Sequence, residues 1–296
     1  MDRIYGSLAQ LGRRRPLLLG LLAWVGLLLG CAPARLLDAV TPAGNYRLER
    51  DLVYGELPRQ RLDIYHPAGR EGGPIVVFFY GGSWRSGDKG GYRFVGEQLT
   101  RHGITLVVPD YRPHPDVTFP AFVEDGARAL RWVQDNLASG DGTRVFVMGH
   151  SAGAHIAALL AFDKRYGTSA GLRPNLIAGL VGISGPYDFL PLTEPRTRAV
   201  FGALADDPVI QPITFVGVAA PPTLLLHGTT DSTVHPRNSE SLAASLRRAG
   251  VPVRLQLYGD RGHVDIMLGL SSALDSDGRL VAELLDFLRG EAANRQ

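Results

Sequence analysis

A serine hydroxyl becomes a useful nucleophile only when a neighbouring base takes its proton. The chain therefore has to supply a serine, a base and an acid in positions that a fold could bring together. Ser151 stands in "VFVMGHSAGAH", residues 145–155, where an apolar run ends on Gly149-His150-Ser151-Ala152-Gly153. Glycines on either side of the serine permit a tight turn that holds its hydroxyl out of a strand; the plainer reading is punctuation between a strand and a helix. "LLLHGTTDSTVHP" sets Asp231 directly after a second apolar run, and "LQLYGDRGHVD" sets His263 directly after a third. In such an arrangement His263 takes the serine's proton and hands it to the leaving group. Asp231 holds the imidazole's tautomer and stabilises its charged form.

Other residues compete for these roles. Asp260 and Asp265 are alternative acids, although both lie within three residues of His263. His235 follows Asp231 so closely that the two ride on one loop, whereas a base on a separate strand end reaches the serine from another side. His150 and His155 flank Ser151, and His150 is expected to pack or bond locally beside the turn. His227 ends its own strand and reads as a hydrogen-bonder that fixes the following loop. His66, His102 and His114 have no motif around them.

A third stretch, "FFYGGSWRSGDKGGY", places glycines after a strand, where the missing Cβ lets backbone N–H groups face a ligand. Gly82 and Ser83 from this loop, with Ala152 at the start of the helix after Ser151, are candidate N–H donors to an oxyanion. The alternative is a glycine-rich loop with no ligand. Trp84 is expected to pack beneath the loop, with a substrate platform as the other reading.

These three loops need strands to carry them. "QRLDIYHP", "GPIVVFFY", "ITLVVPDY", "RVFVMG", "LIAGLVGISG", "PTLLLHG" and "VPVRLQLYG" read as strands. "YRFVGEQLTRHG", "PAFVEDGARALRWVQDNL", "AGAHIAALLAF", "RNSESLAASLRRAG" and "GRLVAELLDFLRG" read as helices. Alternation of the two predicts an α/β fold, a mainly parallel central sheet flanked by helices. Sites of such sheets lie at the carboxyl ends of the strands. Residues 36–50, with Pro42 and Gly44, read as a lead-in, and the long segment 186–220 reads as a small cap. The expected organisation is an export signal over 1–34 and a single domain over 35–296.

The chain has 296 residues and a formal net charge of +2, with its arginines dispersed apart from Arg13-Arg14-Arg15. A nucleic-acid surface would need clustered positive charge, so no nucleic-acid partner is expected. The arginine cluster instead precedes "PLLLGLLAWVGLLLG", which has the pattern of a signal-peptide core. Leu28-Leu29-Gly30-Cys31 fits a bacterial lipoprotein signal in which Cys31 carries the lipid; Ala32-Pro33-Ala34 fits ordinary secretory cleavage, and an uncleaved helix on a cytosolic protein is the third reading. The lipoprotein reading predicts an exported protein anchored in a membrane, facing the periplasm or exterior. With a single cysteine no internal disulfide can form. No H-E-x-x-H, thiolate set or phosphate-loop lysine occurs, so neither metal nor cofactor is expected.

Taken together, "QRLDIYHP", "FFYGGSW", "LVVPDYR", "FPAFVEDGARALRWV", "MGHSAGAH", "SGPYDF", "LLLHGTTDSTVHP" and "GDRGHVD" give the chain a clear resemblance, from about residue 50 to the C-terminus, to α/β-hydrolases of the carboxylesterase type. The group includes hormone-sensitive-lipase-like esterases and kynurenine formamidases. The order serine, acid, histidine is the order of that fold. The resemblance implies a triad of Ser151, Asp231 and His263, an oxyanion hole in the Gly81–Trp84 loop, and hydrolysis of small esters with water as the only co-substrate. Amide hydrolysis, by an arylformamidase or a peptidase, is the neighbouring alternative, and a non-catalytic binding lipoprotein the more distant one. Two departures stand out. Tyr80 replaces the histidine that usually precedes the two glycines, which puts the loop's hydrogen bonding in question, and His235 precedes Pro236 where an aliphatic residue is usual.

Overall fold

Five consecutive apolar residues, Ile75–Phe79, are buried without exception and form a strand with neighbours on both edges. Around it the computed structural model describes residues 46–290 apart from 70, 71, 139, 141 and 276, together with 38, 41, 42 and 44. Cys31, the apolar stretch before it and both candidate cleavage sites lie outside the described residues. In chain order the elements are β1 (Tyr46–Val53), β2 (Arg61–Pro67), β3 (Ile75–Phe79), α1 (Arg93–Thr100), β4 (Thr105–Pro109), α2 (Ala121–Asn136), β5 (Val145–His150) and α3 (Ala152–Phe162). There follow α4 (Lys164–Ser169), β6 (Ile177–Ile183), α5 (Pro195–Phe201), β7 (Thr223–Gly228), α6 (Arg237–Arg248), β8 (Val253–Tyr258) and α7 (Arg279–Arg289).

The eight strands form one sheet in the order β1-β2-β4-β3-β5-β6-β7-β8. β2 runs antiparallel to both β1 and β4, and every pairing from β4 to β8 is parallel. The mainly parallel, helix-flanked sheet expected from the sequence is thus observed. Helices pack on it along its width: α1 on β2 and β4, α3 on β3, β5 and β6, α6 on β7 and β8. Helix α3 is apolar on all sides apart from His155, and all of its residues are buried, as expected of a helix with no solvent face.

The chain crosses from β4, on one side of β3, to β5 on the other. Such a reversal leaves a crevice at the carboxyl ends of the two central strands. The glycine loop follows β3 and the serine turn follows β5, so topology alone brings them together.

Two stretches differ from the sequence reading. The lead-in expected over 36–50 overlaps a strand, because β1 begins at Tyr46; none of its residues is fully buried, and it is an edge strand paired with β2 alone among the described strands. The segment after β6 is also more structured than its composition suggests, with α5 and short 3₁₀ turns at 202–204, 208–210 and 212–215. Val200 and Phe201 of α5 are buried, Phe201 against the rings of Trp84, Phe119, His155 and Phe189.

Candidate active site

Ser151 sits between β5 and α3 with φ 55° and ψ −123°, a backbone conformation that costs a non-glycine residue free energy. Its N–H donates to the Ile183 carbonyl of β6 at 2.9 Å, which helps to hold the turn in place. The flanking glycines are required by close approach. A Cβ on Gly153 would lie 2.0 Å from the Phe79 carbonyl oxygen of β3, and one on Gly149 2.3 Å from the Gly153 carbonyl oxygen. Larger residues at either position would push α3 off the sheet and carry Ser151 with it.

His263 comes from the loop after β8, and Asp231 from the loop after β7. Nε2 of His263 lies 2.8 Å from Ser151 Oγ, and its Nδ1 lies 2.7 Å from Asp231 Oδ2. A carboxylate can only accept, so Nδ1 carries the proton and the bare Nε2 accepts from the serine hydroxyl. Asp231 Oδ1 also accepts from the N–H groups of Thr233, at 2.9 Å, and Val234, at 2.8 Å. Burial would raise the pKa of this carboxyl. Hydrogen bonds from His227, His263 and Val234 outweigh it and hold the group well below the usual carboxylate range. Asp231 is therefore an anion throughout the physiological range, as the partner of an imidazolium must be.

The competing acids do not reach the histidine. Asp265 opens a 3₁₀ turn and accepts from the Gly262 N–H at 3.3 Å, while Asp260 lies in the turn after β8 with a φ of 59°. His235 is exposed in the Asp231 loop, where its carbonyl accepts from Asn238.

Two further histidines join the site in ways the sequence did not disclose. His227 Nε2 lies 2.9 Å from the Val234 carbonyl oxygen and 3.3 Å from Asp231 Oδ2, while Nδ1 lies 2.7 Å from Ser239 Oγ. It does fix the loop, and it also places a second N–H against the acid. The available signal was its spacing, His-Gly-x-x-Asp with both side chains buried. His150 was expected to bond locally, but its Nε2 lies 2.9 Å from the main-chain oxygen of His263, far away in sequence.

The glycine loop passes directly beside the serine: a Cβ on Gly81 would lie 3.1 Å from Ser151 Cβ. Gly82, Ser83 and Trp84 have φ values of 130°, 52° and 58°, and the Gly82 carbonyl accepts from the N–H groups of Arg85 and Ser86. Among the described residues the N–H groups of Gly82, Ser83 and Ala152 donate to no other backbone carbonyl. Such groups are available to a negatively charged oxygen beside Ser151 Oγ. Trp84 is a packing residue, 6% exposed, whose Nε1–H donates to His155 Nδ1 at 3.2 Å.

Tyr80, where a histidine is usual, is fully buried between the rings of Tyr92 and Tyr111. Its hydroxyl donates to Asp110 Oδ1 at 2.7 Å and accepts from Arg59 Nη2 at 2.9 Å. Arg59 also donates to the Gly87 carbonyl, Asp110 Oδ1 accepts from the Lys89 N–H, and the Tyr111 hydroxyl donates to the Tyr80 carbonyl. Both ends of the glycine loop are thereby tied down by Arg59, Tyr111 and the Tyr80 phenol together.

The chain is similar to known proteins in sequence and in fold. A family model described as BD-FAE matches residues 62–246, a span that includes Ser151 and Asp231 but stops before His263. The chain is similar to the isoprenylcysteine alpha-carbonyl methylesterase ICME of Arabidopsis thaliana, with 31% identity over 252 residues. That match covers 75% of this chain and 58% of the plant protein. It is also similar to the probable carboxylic ester hydrolase LipM of Mycobacterium tuberculosis, with 29% identity over 231 residues, 69% of this chain and 53% of that protein. The chain thus spans little more than half the length of these relatives. Among solved structures, a truncated carbohydrate esterase from gut microbiota superposes with a TM-score of 0.72 at 20% identity, covering 86% of this chain and all of that one. A Pyrobaculum calidifontis esterase does so with a TM-score of 0.69 at 23% identity, covering 88% of this chain and 90% of that one. These structures share the α/β-hydrolase fold, and the family match extends over most of the sheet and its helices. The chain belongs to the BD-FAE family.

Proposed function

We propose that the protein is a serine hydrolase of small carboxylic esters that works through an acyl-enzyme. The observation that carries this reading is the unbroken hydrogen-bonded series Ser151–His263–Asp231, with links of 2.8 and 2.7 Å. The relatives named as methylesterase and carboxylic ester hydrolase support the ester class. Ser151 Oγ attacks the ester carbonyl carbon while its proton passes to His263 Nε2. Negative charge on the former carbonyl oxygen is met by the N–H groups of Gly82, Ser83 and Ala152. The tetrahedral intermediate collapses, His263 gives its proton to the departing alkoxide, and an alcohol leaves. Water then attacks the acyl-serine with His263 as base, and the carboxylate is released. Asp231, fixed by its own N–H donors, keeps the imidazole in the tautomer that both half-reactions need.

Ser151→Ala is expected to lower kcat on p-nitrophenyl acetate or butyrate by about 10⁴-fold or more, and to end covalent labelling by a fluorophosphonate, with an unchanged unfolding midpoint. Retained turnover in that variant would refute the reading.

We infer further that the protein is exported and lipid-anchored through Cys31, on the strength of Arg13-Arg14-Arg15, the apolar stretch that follows and the position of the single cysteine. Fatty-acid labelling of the protein in a bacterial host should disappear in Cys31→Ser. A mature chain beginning at Arg35 would instead mean secretory cleavage.

A further inference from the structure

We propose that His150 is a positioning residue that clamps the loop bearing His263 against the serine turn and the glycine loop. This rests on the catalytic reading of Ser151 and His263 given above, and goes beyond it by assigning a role to a histidine outside the triad.

His150 is the last residue of β5, so its backbone is continuous with Ser151. Its side chain is buried, 8% exposed, and reaches the other two parts of the site. Nε2 lies 2.9 Å from the main-chain oxygen of His263. A carbonyl can only accept, so Nε2 carries the proton and Nδ1 is bare. The Nδ1 side abuts the glycine loop, since a Cβ on Gly81 would lie 3.1 Å from it. The two imidazoles also pack together, with centroids 4.9 Å apart and planes inclined by 39°. One side chain thus touches the turn that carries the nucleophile, the loop that carries the oxyanion donors and the loop that carries the base.

The base loop needs such a tie. Its neighbouring links are Thr229 N–H to Tyr258 O at 2.9 Å, Thr230 N–H to Arg261 O at 3.2 Å, Gly262 N–H to Asp265 Oδ2 at 3.3 Å, Ile266 N–H to Gly262 O at 3.3 Å and Met267 N–H to Val264 O at 3.0 Å, none of which involves His263 itself. Among the described residues the bond from His150 is the one hydrogen bond made by the main chain of His263 itself. Burial, reinforced by the neighbouring His263, pushes the pKa of His150 down to about 3. The ring is therefore a neutral donor at neutral pH and does not compete with His263 for the serine's proton. Without the clamp, His263 keeps its bond to Asp231 but its Nε2 is free to drift from Ser151 Oγ. A displacement of about 1 Å at a reacting group costs on the order of 10² in rate.

The test compares two variants on a p-nitrophenyl ester activity that Ser151→Ala abolishes, so that failure of the clamp is separable from failure of the serine mechanism. His150→Phe keeps a ring and removes the donor; kcat is expected to fall about 10- to 100-fold, with KM within about twofold. Fluorophosphonate labelling of Ser151 should slow in parallel. His150→Gln can place an N–H close to the position of Nε2, and is expected to recover at least about tenfold of the loss in both measurements. A merely structural role would lower the unfolding midpoint without separating kcat from KM or Gln from Phe. The proposal is overturned if His150→Phe keeps kcat within twofold, if the change falls on KM alone, or if Gln is no better than Phe. Should the Phe variant fail to fold, the Gln variant decides alone: a kcat more than 100-fold below wild type overturns the clamp.

Discussion

At the scale of residues, the site depends on groups whose hydrogen-bond roles are forced by what they face. Asp231 accepts on both oxygens, His263 must therefore donate from Nδ1, and Ser151 must donate to the nitrogen left bare. Tyr80 shows the same logic at the glycine loop. Burial raises its pKa well above that of a free phenol, so it remains a donor to Asp110 while taking a hydrogen bond from Arg59. Tyr80→Phe removes both bonds and leaves a partly buried carboxylate with the Lys89 N–H and a guanidinium 3.8 Å away. A loss of about 1–3 kcal/mol in unfolding free energy is expected, with a several-fold fall in kcat as the loop relaxes. Denaturant unfolding and kinetics on one preparation check this, and a variant unchanged in both would show that the phenol only fills space. The cluster of Ser151, Asp231 and His263 was legible in the sequence because each member follows a strand within a recognisable local pattern. The choice of Asp231 over Asp260 and Asp265 was not closed by pattern alone, and distance closed it. The partners of Tyr80 were not legible at all, because Arg59 and Asp110 come from other strand ends.

At the scale of elements, one imidazole is among the ties that hold the segment between β6 and β7 against the rest of the fold. His155, in the first turn of α3, accepts from Trp84 Nε1–H and donates from Nε2 to the Ile210 carbonyl at 2.7 Å. It thus links the glycine loop to the 3₁₀ turn at 208–210. Burial lowers its pKa to about 4, below the ordinary 6.5. Its contribution to stability is fully present above pH 6.5. As the pH falls from 6.5 toward 4, the unfolded chain takes up a proton that the folded chain refuses, and stability is lost. A shift of this size is worth on the order of 3 kcal/mol. Urea midpoints from pH 7 to pH 4 should therefore decline more steeply in the wild type than in His155→Gln, which starts lower at pH 7. Parallel declines would exclude His155 as the source. The sequence foresaw α3 because an unbroken apolar helix has one place to go, the interior. It did not foresee α5, "PRTRAVF", whose polar residues outnumber its buried ones. Glu194 caps the N–H groups of Arg196 and Thr197, and Phe201 inserts among aromatic rings from distant parts of the chain. β1 was missed for a related reason: an edge strand with both faces partly wet carries the charges of a linker.

At the scale of the whole molecule, the alternation of apolar strands with amphipathic or apolar helices was enough to specify a mainly parallel sheet. A parallel strand buried on both faces is apolar over most of its length: β3 throughout, β5 up to Gly149 and β7 over Leu224–Leu226. By itself, then, the sequence determined the fold class, the serine turn with its glycines, and the loops that carry the acid and the base, since all of these are written in short contiguous stretches. The tertiary structure alone decided which strand lies beside which, and so that the glycine loop after β3 and the serine turn after β5 share one crevice. It decided as well that His150 reaches the main chain of His263, that His227 backs Asp231, and that Tyr80 anchors the glycine loop. These are contacts between residues far apart in the chain. Local propensity and spacing do not encode them, because they exist only once the sheet has assembled and water has been removed from around the groups concerned.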